Sequence, residues 1–252
     1  MPASAHAPYP AFEARLPSLA RNAPELVVLT CEHASAALPA PWRWPPGDAA
    51  LRPTHWAYDL GAADLTRELA DDLNAPAVLS TFTRLLVDPN RAEGHDELFR
   101  RHAEGGRPVA LNATLTPADA DARLRRFYRP FHAAIDAAVG SSAAPVVLSI
   151  HSFTPVYDGK RRDLEVGVLY DEADALGEGL HARLQQAGFR TERNAPYSGK
   201  AGLMYSAHHH ATVHGRDALE LEVRQDLAVD AAFRARLRAA VTAALAALVR
   251  AP

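Results

Sequence analysis

The 252-residue chain has one cysteine, Cys31. That excludes an internal disulfide and suits a reducing compartment, without by itself making a thiol enzyme. Positive charge is not in excess. The 27 Lys and Arg residues stand against 30 Asp and Glu, so the net charge is −3. No basic field is available to hold a nucleic-acid backbone. No run reaches the roughly 18 to 20 apolar residues that span a bilayer. The opening "MPASAHAPYPAFEARLP" lacks a basic segment followed by an apolar one, so it does not read as a secretory signal. With nucleic acid and membrane set aside, the expected location is the cytoplasm.

What remains is an ordinary globular composition, with enough residues for one large domain or two small ones. Residues 1–24 are rich in Ala and Pro and read as an irregular lead-in. "ELVVLT" is a short β-branched run and the first expected strand; "CEHASAALPAPW" follows as a loop. "YDLGAADLTRELADDLNA" carries Leu60, Ala63, Leu65, Leu69 and Leu73 at helical spacing, with Asp59 at its front. "PAVLSTFT" predicts a second strand. The charged, turn-rich stretch "RLLVDPNRAEGHDELFRRHAEGGRP" reads as a surface excursion.

"TPADADARLRRFYRPFHAAIDAAVG" has a Thr-Pro helix start, and Pro130 is placed to kink or divide the helix. "PVVLSIH", "LEVGVLYD" and "ALELEV" predict further strands, the last a central one, and "FRTERN" an edge strand. Helices are expected over "EADALGEGLHARLQQAG" and the C-terminal "AVDAAFRARLRAAVTAALAALVRA". No linker divides the chain. The alternation predicts one α/β domain over 1–252, three layers deep (α/β/α), around a mostly parallel mixed sheet.

In such sheets ligands sit beyond the carboxyl ends of the strands. The first strand ends on Glu32-His33, "VVLSIH" ends on His151, and the late strand carries Glu220 and Glu222. Asp59 belongs to the same edge. Two histidines and a carboxylate with an open position suit a catalytic zinc, although the same set accepts other divalent ions. A carboxylate outside that set can move the proton of an activated water, and Glu222 is the candidate. Glu32 reads equally as a carboxylate that orients a histidine ring. The "RLLVDPNR" stretch holds Arg84, Asp88, Asn90 and Arg91; its arginines suit a substrate carboxylate or a plain surface. In "HHHATVH", His208 and His209 read as a solvent-facing loop.

The blocks "LTCEHASAALP", "HWAYDLGAADLTRELA", "RLLVDPNR", "RFYRPFHAAI", "SIHSF", "YSGKAG" and "LELEVRQDL" occur in this order between about Val27 and Leu227. Together they resemble the N-formylglutamate amidohydrolase family, which is similar to zinc carboxypeptidases and zinc cell-wall amidases. The resemblance implies a zinc-carboxypeptidase-like (phosphorylase/hydrolase-like) fold and hydrolysis of an N-formyl or other N-acyl amino acid. It implies Zn2+ on His33, Asp59 and His151, with Glu32 as the competitor for Asp59. Glu222 and Arg84 become the catalytic candidates. Asn90, Arg91, Tyr197, His210 and Arg224 are expected to line the pocket. A small metallopeptidase, a cell-wall amidase and a non-catalytic binding homologue are the alternatives.

Overall fold

A computed structural model describes residues 9–18 and 25–249. The expected irregular lead-in therefore lies partly outside the described residues. Within it, Phe12–Arg15 forms a strand, β1, contrary to the sequence reading. It gains its order from pairing antiparallel to the strand Ala77–Ser80, with Phe12 opposite Ser80 and Arg15 opposite Ala77. The remaining strands are β2 (Val27–Cys31), β3 (Ala77–Ser80), β4 (Val146–Phe153), β5 (Val156–Tyr157), β6 (Lys160–Arg161), β7 (Val166–Leu169), β8 (Thr191–Arg193) and β9 (Asp217–Arg224). The helices are α1 (Ala62–Leu73), α2 (Ala110–Ala113), α3 (Pro117–Arg123), α4 (Arg129–Ser141), α5 (Asp174–Gln186), α6 (Tyr205–Val213), α7 (Gln225–Ala228) and α8 (Ala231–Leu248).

Seven strands form one sheet in the order β1-β3-β2-β4-β9-β7-β8. From β3 to β9 every neighbour is parallel; β1 and the β7–β8 pair run the other way. The "FRTERN" strand is at the edge and the "ALELEV" strand inside. Hydrophobic residues of α1, α5 and α8 cover one face through Leu65, Leu69, Leu180, Leu237 and Val241. Phe131, Ile135, Val139, Ala207 and Ala211 of α4 and α6 cover the other. This is the expected three-layer α/β/α arrangement.

Local chemistry sets the helix boundaries. The Thr116 hydroxyl accepts from the Asp119 amide, and Pro117 occupies the first helical turn of α3. A π-helical turn over Leu124–Tyr128 separates α3 from α4, directly before Pro130. Proline cannot donate to a preceding carbonyl, so the continuous helix is interrupted there. Asp230 caps α8 by accepting from the Ala232 and Phe233 amides.

The "RLLVDPN" stretch is not the surface excursion that its charges suggest. Leu85 to Asn90 are all buried. Arg123, itself 2% exposed, reaches inward from α3 and donates to the Leu86 carbonyl and Asn112 Oδ1. A buried side chain thereby satisfies a loop that lacks a ladder of its own. His208 and His209 lie on α6 rather than in a loop, with His209 exposed and His208 half-buried.

Candidate metal centre

Side chains on one face of a strand recur every second residue. On the α4/α6 face, Val28, Val147 and Ala218 stand side by side in register. One step along come Thr30, Ser149 and Glu220, and the next step pairs His151 with Glu222. Each of the three strands thus begins apolar on this face and ends polar. The change occurs at the carboxyl ends, where the parallel strands leave a crevice. Gly167 on β7 lies opposite Glu222. A Cβ there would sit 1.9 Å from the Ala195 carbonyl oxygen, so the loop leading to Tyr197 crosses where no side chain fits.

Three elements deliver the candidate ligands. His33 follows β2, His151 is in β4, and Asp59 precedes α1. The Asp59 amide donates to the His33 carbonyl at 2.9 Å, and the Ser152 amide donates to Asp59 Oδ2 at 3.2 Å. These bonds fix the carboxylate between the two histidine segments. Asp59 Oδ2 lies 2.8 Å from His151 Nδ1 and 3.4 Å from His33 Nδ1. One atom from each of the three residues falls within 4.8 Å of the others. Two histidine nitrogens and one carboxylate oxygen, converging with a side left open, are a donor set that catalytic zinc uses.

The opposite ring nitrogens are also engaged. His33 Nε2 lies 2.7 Å from Asp88 Oδ1, and His151 Nε2 lies 3.0 Å from Glu32 Oε2. A carboxylate accepts and cannot donate, so with Nδ1 given to a metal each ring keeps its proton on Nε2, toward Asp88 or Glu32. Carboxylate–histidine pairs of this kind orient metal-binding imidazoles and raise their basicity. Asp88 is itself held by Arg84, whose Nε and Nη2 donate to Oδ2 at 3.1 and 2.7 Å. Glu32 accepts from the Ser149 hydroxyl. It is therefore placed behind His151, on the side away from Asp59.

The electrostatics suit a cation. Glu32, Asp59, Asp88, Glu220 and Glu222 are each 5% exposed or less, and they gather around two histidines and Arg84. Burial pushes Asp59 up, but His33 and His151 outweigh it and hold the carboxyl below its ordinary range. Asp88 behaves in the same way, with Arg84 and His33 overcoming burial. Burial likewise pushes Glu32 up, and the His151 ring with Ser149 brings it down to about 2. Glu220 Oε2 lies 3.5 Å from His151 Nε2, but for Glu220 and Glu222 burial outweighs that ring. Burial raises Glu220 to about 7 and Glu222 well above a normal carboxyl. Burial alone would discharge His151; the carboxylates of Glu220, Asp59 and Glu32 reverse this and hold it charged well above its usual range. The positive charge these acids favour on His151 is of the kind a divalent ion supplies. His33, Asp59 and His151 can hold such an ion, and the donor set fits it.

A cavity of about 250 Å³ opens onto this centre. His33, Asp59, His151, Glu220 and Glu222 line it, as do Arg84, Asn90, Arg91 and Tyr197. Two expected lining residues lie elsewhere. His210 is buried on α6, where its Nε2 lies 2.9 Å from His132 Nδ1 of α4. Arg224 turns behind the sheet edge, to Asp226 and the carbonyls of Arg162, Asp163 and Leu164. Sequence reasoning gave no role to Asp88 and missed Ser149 and the cavity residues His55, Trp56 and Tyr157. Asp88 had a signal, an acid inside a block shared with the family. Cys31 is buried away from the cavity, its thiol pushed up to about 12 by burial, which leaves it no nucleophilic part.

The fold matches solved structures over nearly its whole length. A crystal structure of a gene product from Agrobacterium tumefaciens is 28% identical, with a TM-score of 0.86, and covers 95% of this chain and 95% of that one. N-formylglutamate amidohydrolase from Ralstonia eutropha is 20% identical, with a TM-score of 0.70, covering 94% of this chain and 96% of that one. A comparison with curated proteins returns no match. The model of the family described as N-formylglutamate amidohydrolase matches residues 26–229, which include every residue of the centre just described. The chain belongs to the N-formylglutamate amidohydrolase family, a family of amide hydrolases.

Proposed function

We propose that the protein hydrolyses the C–N amide bond of an N-formyl amino acid such as N-formylglutamate, releasing formate and the free amine. The observation that carries this reading is the convergence of His33, Asp59 and His151 at a cavity that also exposes Glu222. We assign those three residues as ligands of a divalent metal, Zn2+ by the nature of the donors. When bound, such an ion supplies Lewis-acid charge that polarises a carbonyl and makes water acidic.

The protein's own groups do the rest. Asp88 and Glu32 hold the imidazoles in orientation through Nε2. Glu222 takes a proton from the attacking water and returns it to the leaving nitrogen. Its Oε2 has no hydrogen-bond partner among the described residues, and the residue lines the cavity. Arg84 uses Nε and Nη2 on Asp88 and keeps Nη1 3.8 Å from Asp59, facing the cavity, where it stabilises the developing oxyanion. Arg91 has no acidic partner among the described residues; its Nη1 donates to the Asn90 carbonyl at 2.8 Å. It is placed to take the carboxylate of the amino acid. Asn90 accepts from the Ser206 amide and steadies this wall.

His151→Ala tests the assignment. The purified variant should lose both stoichiometric metal and turnover of N-formylglutamate. Full activity in metal-free wild-type protein would sink the reading.

A further inference from the structure

Arg84, Arg91 and Arg100 line the cavity, and Arg162 and Arg224 lie behind its wall. Three have acidic partners: Arg84 with Asp88, Arg100 with Glu97, and Arg224 with Asp226. Arg162 has none among the described residues, because its neighbour Asp163 faces Arg161 at 3.9 Å. Arg162 follows the β5–β6 hairpin, which leaves the strand that carries His151. Its guanidinium carbon lies 4.8 Å from the ring centre of Tyr157, 5.6 Å from Phe153 and 5.8 Å from Tyr197. All three rings line the cavity, as does Thr154, whose carbonyl accepts from Arg162 Nη1 at 3.4 Å.

The backbone is anchored as well. The Arg162 amide donates to the Pro155 carbonyl at 2.8 Å, and its carbonyl accepts from Arg224 Nη1 at 3.1 Å. Aromatic faces hold a cation in place without neutralising it. A half-buried, oriented and unpaired guanidinium is a poor arrangement for stability alone. It is a good receptor for a carboxylate, which its planar fork can engage through two hydrogen bonds.

We propose that Arg162 is a specificity-determining residue that binds the second, side-chain carboxylate of a dicarboxylic N-acyl amino acid, while Arg91 takes the first. This rests on the hydrolytic reading above and adds to it the residue that reads the second carboxylate.

The test compares N-formylglutamate with N-formylglutamine, which differ in that one carboxylate, in wild type, Arg162→Gln and Arg162→Lys. The expected result is a fall of at least about tenfold in the ratio of kcat/KM values for Arg162→Gln, carried by KM, with Arg162→Lys in between. An unchanged ratio, including an equal loss on both substrates, would overturn the proposal. Calorimetric binding of glutarate separates the two readings. Glutarate binding that weakens in Arg162→Gln supports the role of Arg162 even if the wild type hydrolyses no N-formyl amino acid, a result that would defeat the hydrolytic reading alone. Glutarate binding equal in wild type and variant overturns the proposal.

Discussion

Glu32→Gln separates a residue that positions a ligand from a ligand. Glu32 is fully buried, with Oε2 3.0 Å from His151 Nε2. The difference between its ordinary value of 4.5 and about 2 corresponds to about 3 kcal/mol favouring the ionised form, and that despite burial. This figure belongs to a charged His151. Once Nδ1 is given to a metal the ring is neutral and the attraction weaker, so 3 kcal/mol, a few hundredfold in affinity, is a ceiling. Gln has nearly the same volume and its amide oxygen still accepts from Nε2, so the ring keeps its orientation and loses the charge behind it. The metal dissociation constant should therefore rise about 10- to 100-fold. Asp59→Asn, which removes a ligand charge at 2.8 Å from His151 Nδ1, should abolish stoichiometric binding. Competition against a fluorescent chelator, with Zn2+ or Co2+, reads both. Loss of metal in Glu32→Gln with retention in Asp59→Asn would show that the roles are reversed. Unchanged affinity in Glu32→Gln would refute the positioning argument itself.

Further expectations concern catalysis, pH and packing. Glu222→Gln should keep its metal and its fold and lose about 10²- to 10⁴-fold in kcat, measured by formate release; wild-type turnover would remove Glu222 from proton transfer. Glu220 titrates near 4.5 in an unfolded chain and at about 7 when folded. A carboxyl raised in this way adds stability below its unfolded value and loses it as pH rises through its folded value. Metal-stripped protein should then melt at a lower temperature at about pH 8 than at about pH 5, with a contribution of about 3 kcal/mol from this group. Glu220→Gln should flatten that slope, and an equally steep slope in the variant would assign it elsewhere. Gly167→Ala places a methyl 1.9 Å from the Ala195 oxygen, so it should destabilise by about 1 to 3 kcal/mol in denaturant melts. Wild-type stability would mean that the crossing loop moves freely.

Much of this was legible in the residues. Strands and helices declare themselves through periods of 2 and 3.6, and His151 is conspicuous because it interrupts a run of small and apolar residues, although the strand continues to Phe153. β1 was not legible, since its four residues become a strand only through β3, more than sixty positions away. The burial of Leu85 to Asn90 depends on Arg123 arriving from another helix, a contact that no local pattern encodes. The two carboxylates behind the histidines divide in the same way. Glu32 adjoins His33 in sequence but serves His151, whereas Asp88 serves His33 from 55 residues away. The family resemblance pointed to His210 and Arg224 as well, yet a resemblance does not say which side of a wall a side chain occupies. His210 packs against His132, and Arg224 ties down the loop that carries Arg162.

The face on which Val28, Val147 and Ala218 give way to Glu220, His151 and Glu222 also sets how this protein could lose its activity while surviving as a fold. Leucine or methionine at 220 and 222 would extend the α4/α6 core by one more layer and remove two carboxyls that burial opposes. Such a chain should be inert and more stable, so retention of the fold among relatives is weak evidence of retained catalysis. A one-residue insertion early in β9 would do the opposite. It would rotate both glutamates to the other face, into the apolar layer of Leu65, Leu69, Leu237 and Val241, and disable the centre and the fold together.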